Sequence, residues 1–376
     1  MAQRPSPTLA NAVAPGVRVG RIEPLQRRIE KNRLRFMGFM IVFTTCLGLS
    51  LFTCLLLLVG GVMLLGSGPG PGDPATIAAW AFGVSLAVAW AWALTVFIRA
   101  DVALIARLGA RMPKAGTLMP TKSALRDMAI AAGLPRTPYL YVIDTPGVNA
   151  FVLGRSIERV RIGVTRGMVE RIDTNEQRAV FANLLARVLT RDTLWATAVS
   201  ALAGPIWAMR DYDLGYEPPD PAADHRLGER PCGPVEDRRA VAFVLYGIAI
   251  VVTELLSWYH QEAAWTAAEK ADAEGMMLLK DPRSMLRAIE QVLERNNHVP
   301  TAGDAYSQLF FCWAGFGFAP EDDPEMRRVA RLRETLGAEG AAYVPRPNVP
   351  GWPTPPRAPR IDLVEEIAGE REVDAL

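Results

Sequence analysis

Residues 174–192 read TNEQRAVFANLLARVLTRD, and the rest of the chain is organised around this stretch. TNEQ has the form of a capping box. The Thr174 hydroxyl can accept from the amide of Gln177 while the Gln177 side chain reaches back, which predicts a helix opening here. Within it Asn183 and Arg187 stand four residues apart and therefore on one helix face. An arginine on a helix is ordinarily solvated, so this one requires a reading of its surroundings.

The chain has 376 residues, room for two ordinary domains, but half of them are apolar and the mean hydropathy is positive, which indicates membrane insertion. Residues 36–66, FMGFMIVFTTCLGLSLFTCLLLLVGGVMLLG, carry no charge and exceed the roughly 20 residues that span a bilayer core. Residues 75–98 repeat the pattern. The first run is too long and starts too far into the chain for a signal peptide, so both read as retained helices. Arg27, Arg28, Lys31, Arg33 and Arg35 precede this hairpin, and Arg99, Arg107, Arg111 and Lys114 follow it. The link GSGPGPGDP has no Lys or Arg, so the positive-inside rule puts both ends in the cytoplasm. A net charge of +1 leaves no basic face for nucleic acid once these clusters are assigned to lipid headgroups.

Two weaker apolar segments, 193–209 and 240–259, suggest a second membrane hairpin with 210–239 as its outer loop. The first is short, however, and the second carries Glu254, so a protein-packed or re-entrant pair is the alternative. The four cysteines show no CxxC or zinc-finger spacing. Cys46 and Cys54 read as small packing residues of the first span. Residues 121–134 predict an amphipathic helix closed by Gly133, and 139–144, 148–154 and 159–165 predict strands. Arg159 and Arg161 alternate with Val160, Ile162 and Val164, the pattern of a sheet with one covered face. Residues 1–22 lack periodicity, and the proline-rich run 344–360 can hold neither a helix nor a central strand.

From about residue 100 to 335 the chain resembles the membrane-bound HtpX proteases, relatives of the CAAX prenyl endopeptidases. The resemblance rests on YVIDTPGVNAFVLG (141–154), TNEQRAVFANLLARVLTRD, AAEKADAEGMMLLKDPRSMLRAIEQV (267–292), SQLFFCW and DDPEMRRVARLRETL. In such a protease two histidines at i and i+4 and a third ligand hold zinc, and a glutamate after the first histidine activates the bound water. Carried onto this chain, the histidine positions read Asn183 and Arg187, the glutamate position Leu184, and the third-ligand position Ala268. Glu269 would lie about 100° round the helix from the ligand position. The only histidines are His225, His260 and His298, none four residues from another.

The resemblance therefore implies that the zinc expected of the family has lost its ligands and that no cofactor is held. Asp272 matches the family's carboxylate that orients a ligand. Arg187, turned towards the former metal position, is expected to pair with it. Asn149, Ala150 and Phe151 match the strand edge to which a peptide substrate would add; the alternative is that this strand merely completes the sheet.

The fold expected is α+β, mainly α: a membrane protein of about four transmembrane helices with a gluzincin-like cytoplasmic domain containing a small sheet. Its parts are a cytoplasmic arm (1–35), a hairpin (36–99), a first protease-like part (100–192), a second hairpin (193–259), a second protease-like part (260–340) and a tail (341–376). The function expected is that of an inactive HtpX-like homologue in a bacterial plasma membrane. It would touch the lipid bilayer and bind or scaffold membrane-protein or peptide clients, in membrane-protein quality control. The alternatives are an active metalloendopeptidase with unorthodox ligands and a structural membrane subunit.

Overall fold

The computed structural model describes residues 25–65, 73–207, 267–302, 304–312 and 324–337. The arm before residue 25, residues 66–72 of the hairpin link, the loop 210–239, the segment 240–259, the proline-rich tail, His225 and His260 lie outside them.

Helix α1 (Leu25–Leu65) and helix α2 (Pro74–Ile98) form an antiparallel pair. Asp73 starts α2 by accepting from the Thr76 amide at 3.1 Å, with Pro74 at the first helical position, where its missing N–H costs nothing. Both helices are long and apolar enough to cross a membrane, and only 17% of each apolar window is buried within the protein. A core helix would be mostly covered, so these flanks face lipid. At about 1.5 Å per residue the 41 residues of α1 outrun a bilayer core, and its basic first turns project beyond the membrane. This orientation is open to a direct check. In a cysteine-free background, single cysteines within 67–74 should react with an impermeant maleimide on intact cells, and those within 115–120 only after permeabilisation. The reverse pattern would contradict the cytoplasmic assignment.

After α3 (Ala100–Arg107), helix α4 (Met119–Ala131) ends at Gly133, whose φ of +67° is the left-handed conformation expected of a closing glycine. Strands β1 (Tyr139–Ile143), β2 (Ala150–Leu153) and β3 (Arg161–Thr165) follow. They make one sheet in the order β1-β3-β2, with β1 parallel and β2 antiparallel to β3. The expectation of a single covered face is corrected. Leu140, Val142, Val152, Ile162 and Val164 face one hydrophobic cluster, and Tyr141, Ile143, Phe151 and Leu153 face another. The alternation misled because Gly163 carries no side chain to mark the second face. Phe151 is paired with Gly163 and its ring fills that space, lying 1.9 Å from where a Cβ would stand.

The first cluster is the core proper. It is built by α4, α6 (Thr174–Leu189), which follows the short α5 (Arg166–Arg171), α9 (Pro282–Glu294) and α10 (Pro324–Leu336); α8, residues 267–279, precedes α9. The capping box is a second correction. Asp173, not Thr174, is the N-cap, and the Gln177 side chain donates to the Ile172 carbonyl at 2.8 Å. The second cluster joins the sheet to the hairpin: α7 (Asp192–Leu202) packs against β2, α1, α2 and α3. This part of the 193–209 segment is thus buried within protein rather than exposed to lipid, and its continuation beyond Trp207 lies outside the described residues.

Candidate functional site: a buried charge cluster

Helix α8 crosses α6 so closely that a Cβ on Gly275 would stand 2.9 Å from the backbone nitrogen of Asn183. That crossing brings Asp272 to the polar face of α6. The Asn183 amide donates to Asp272 Oδ1 at 2.7 Å, with both residues almost fully buried. The expected partner of Asp272 is corrected. Arg328, on α10, grips the carboxylate side-on, Nε to Oδ2 and Nη2 to Oδ1, both at 2.8 Å. The same guanidinium donates to Glu325 at 2.5 Å and to the Phe311 carbonyl at 3.0 Å, and it lies 5.4 Å from the centre of the Phe311 ring.

Arg187 turns the other way. Its Nε meets Asp192 Oδ2 at 3.2 Å, Nη1 donates to the Phe310 carbonyl at 3.1 Å, and Nη2 to the Gln308 carbonyl. The physical reason is proximity. Asp192 opens α7 only five residues on, after a tight turn in which Arg191 adopts φ +58°. The carbonyls of segment 304–312 supply the remaining acceptors. A buried guanidinium is tolerable when its fork is filled in this way.

Electrostatics follow the burial. Desolvation pushes the Asp272 carboxyl above its ordinary value, and Glu325 adds to the effect, against the opposing pull of Arg328 and the Asn183 amide. Desolvation alone would lower Arg328, but the Asp272 and Glu325 carboxylates outweigh it and hold the guanidinium well above its usual value.

The four positions that the resemblance assigns to metal and base do not fit zinc. The Arg187 guanidinium has no lone pair to give, Leu184 and Ala268 carry no donor atom, and Asn183, whose Nδ2 donates to Asp272, could offer only a single amide oxygen. Leu184 is fully buried in the first cluster. Glu269, beside Ala268, pairs with Arg331 on α10 and does not join the site. Among the described residues no three His, Cys, Asp or Glu side chains gather as a metal site.

The candidate peptide-binding edge is also corrected. Asn149, Ala150 and Phe151 are fully buried. The outer edge of β2 is taken by the chain itself: the Phe311 amide donates to the Ala150 carbonyl at 2.7 Å, and Phe151 bridges to Phe310. Asn149 holds the same segment from the side, donating to the Cys312 carbonyl at 2.9 Å and accepting from its amide at 3.3 Å. The opposite edge is closed too, since Arg111 and Val142 exchange both backbone bonds. A peptide would have to displace chain already hydrogen-bonded there.

Sequence reasoning missed Arg328, Glu325 and Asp192. The signal for Arg328 lay in α10, where Glu325, Arg328, Val329 and Leu332 fall at helical spacing on one buried stripe.

No family model matches the chain. It is 24% identical over 214 residues to a protease HtpX homologue of Thermoanaerobacter pseudethanolicus, covering 56% of this chain and 69% of that protein. It is 26% identical over 188 residues to one of Caldanaerobacter subterraneus subsp. tengcongensis, covering 50% of this chain and 60% of that protein. It is 28% identical over 249 residues to one of Acidiphilium cryptum, covering 62% and 80%. The chain thus spans between 60% and 80% of the length of these relatives. These matches support a relation between the chain and the HtpX-like proteases.

Proposed function

We propose that the chain is a catalytically inactive HtpX-like homologue, a pseudoprotease of the bacterial plasma membrane. Its domain lies on the cytoplasmic side, and it binds or scaffolds membrane proteins in their quality control. A second membrane hairpin, from 193–209 and 240–259, belongs to the same proposal, its first arm shielded from lipid by packing on α1 and α2. The observation that carries the reading is Arg187. Where metallopeptidase chemistry needs a Lewis acid that can take up a carbonyl oxygen, this chain has a buried guanidinium whose donors already serve Asp192, Gln308 and Phe310. Where it needs a base to accept a proton from water, the chain has Leu184. What remains is a rigid, charge-paired frame behind a membrane hairpin. It cannot recruit clients by strand addition while residues 309–312 stay in place, so clients would meet its helices or the hairpin.

The test pairs two assays on detergent-purified full-length protein. No cleavage of casein or of a membrane-protein substrate is expected under conditions in which a zinc-loaded HtpX relative cleaves both. A fluorescently labelled unfolded membrane protein is expected to associate with liposomes carrying the chain more than with empty ones. Chelator-sensitive cleavage would refute the inactive assignment, and equal association would refute the client-binding role.

A further inference from the structure

The first turns of α1 do more than mark orientation. Arg28, Lys31 and Arg35 follow one another at helical spacing on one face. This face leans on the protein: Arg28 pairs with Glu274 of α8, and the Asn32 amide donates to the Thr190 carbonyl at the end of α6, at 2.9 Å. Between these three helices lies a small cleft open to solvent. Arg28, Lys31, Arg35 and Lys270 line it, with the small side chains of Ala267 and Ala271.

The charge inside is one-sided. Its two carboxylates are both engaged, Glu274 by Arg28 and Asp192 by Arg187. Lys31 and Arg35 pair with no carboxylate among the described residues. Height matters as well. Arg35 immediately precedes the apolar run that begins at Phe36. Arg28 lies roughly 10 Å further out along the axis, at about 1.5 Å per residue. The headgroup layer of one leaflet is about 5–8 Å deep, so the cleft opens where lipid phosphates sit. Basic pockets beside transmembrane helices on the cytoplasmic side suit anionic headgroups.

We propose that this cleft is a binding site for a phosphate-bearing headgroup of an anionic phospholipid, held by Lys31 and Arg35. The site stands independently of whether the chain cleaves peptides. It also differs from general attraction of a basic segment to an acidic membrane, because Arg27 and Arg33 share the segment but not the cleft.

The test uses the delipidated full chain in a non-ionic detergent, with phosphatidylglycerol, phosphatidylcholine or inorganic phosphate added and bound molecules counted by native mass spectrometry. One phosphatidylglycerol per chain is expected, at an affinity at least about tenfold above phosphatidylcholine. Lys31→Gln with Arg35→Gln should weaken it by roughly tenfold or more, whereas Arg27→Gln with Arg33→Gln, which removes as many charges, should change it by less than about twofold. Arg35→Lys should retain binding. If the first pair lowers the melting temperature, Lys31→Gln alone, at an exposed side chain, gives the same readout. Equal losses in the two pairs would show diffuse charge and overturn the site, as would equal affinity for the two lipids. Displacement of the lipid by millimolar phosphate, with the same dependence on Lys31 and Arg35, would make the occupant a free anion and overturn the lipid assignment.

Discussion

Replacing Arg328 by alanine is expected to lower the unfolding free energy by about 3–5 kcal/mol, the range for removing one member of a buried ion pair. The guanidinium is 3% exposed and Asp272 2%. Without Arg328, Asp272 keeps one donor, the Asn183 amide, and faces Glu325 with no cation between them. The Phe311 carbonyl loses its donor as well. Changing Asp272 to alanine at the same time removes the stranded charge, so the double variant should lose clearly less than the two single changes added, with a coupling of about 1–3 kcal/mol. Denaturant unfolding of the four proteins in one detergent gives all the quantities. Additive losses, or a single loss under about 1 kcal/mol, would contradict the role given to this pair.

The second large effect concerns introducing the zinc-protease motif on α6. Asn183→His, Leu184→Glu and Arg187→His, made together without Ala268→Glu, should yield a protein destabilised by several kcal/mol, on the order of 5, that holds no zinc tightly. Three costs combine. Removing Arg187 strands the buried Asp192 and leaves the Gln308 and Phe310 carbonyls without their donor. Leu184→Glu puts a carboxylate among fully buried apolar side chains such as Val180 and Leu185. Asn183→His removes the amide that serves Asp272, at a crossing where Gly275 already touches the α6 backbone. Two histidines without a third protein ligand fall short of the three that hold a catalytic zinc. A melting temperature within a few degrees of the parent, or one chelatable zinc per chain, would contradict this.

Those costs show how unevenly the sequence disclosed its structure. Local signals carried far: an uncharged run long enough to span a bilayer, and Gly133 past an amphipathic helix, led to α1 and α4 because helix length and chain reversal are set within a few residues. The three strands were legible from β-branched runs between turn residues. The capping box failed because Asp173 sits one residue earlier and its carbonyl already accepts the Gln177 amide, at 2.8 Å. The pairing failed for a different reason. Asn183, Arg187 and Asp272 stand out in the sequence, but four arginines stand within 327–333, and choosing Arg328 as the partner of Asp272 needs the packing of α10 on α8. Likewise the closing of β2 by Phe310 and Phe311 links positions about 160 residues apart, which no local pattern reveals.

Ion pairs of Arg187 with Asp192 and of Arg328 with Asp272 stand where the resemblance to zinc proteases would put a metal. The direct measurement is elemental analysis of the full-length protein, purified without chelator and supplied with zinc during growth. The expected result is well under about one-tenth of a zinc per chain, since among the described residues no three His, Cys, Asp or Glu side chains gather to hold it. One tightly held zinc per chain, released by chelator and lost on replacing Asn183 or Asp272, would contradict the account.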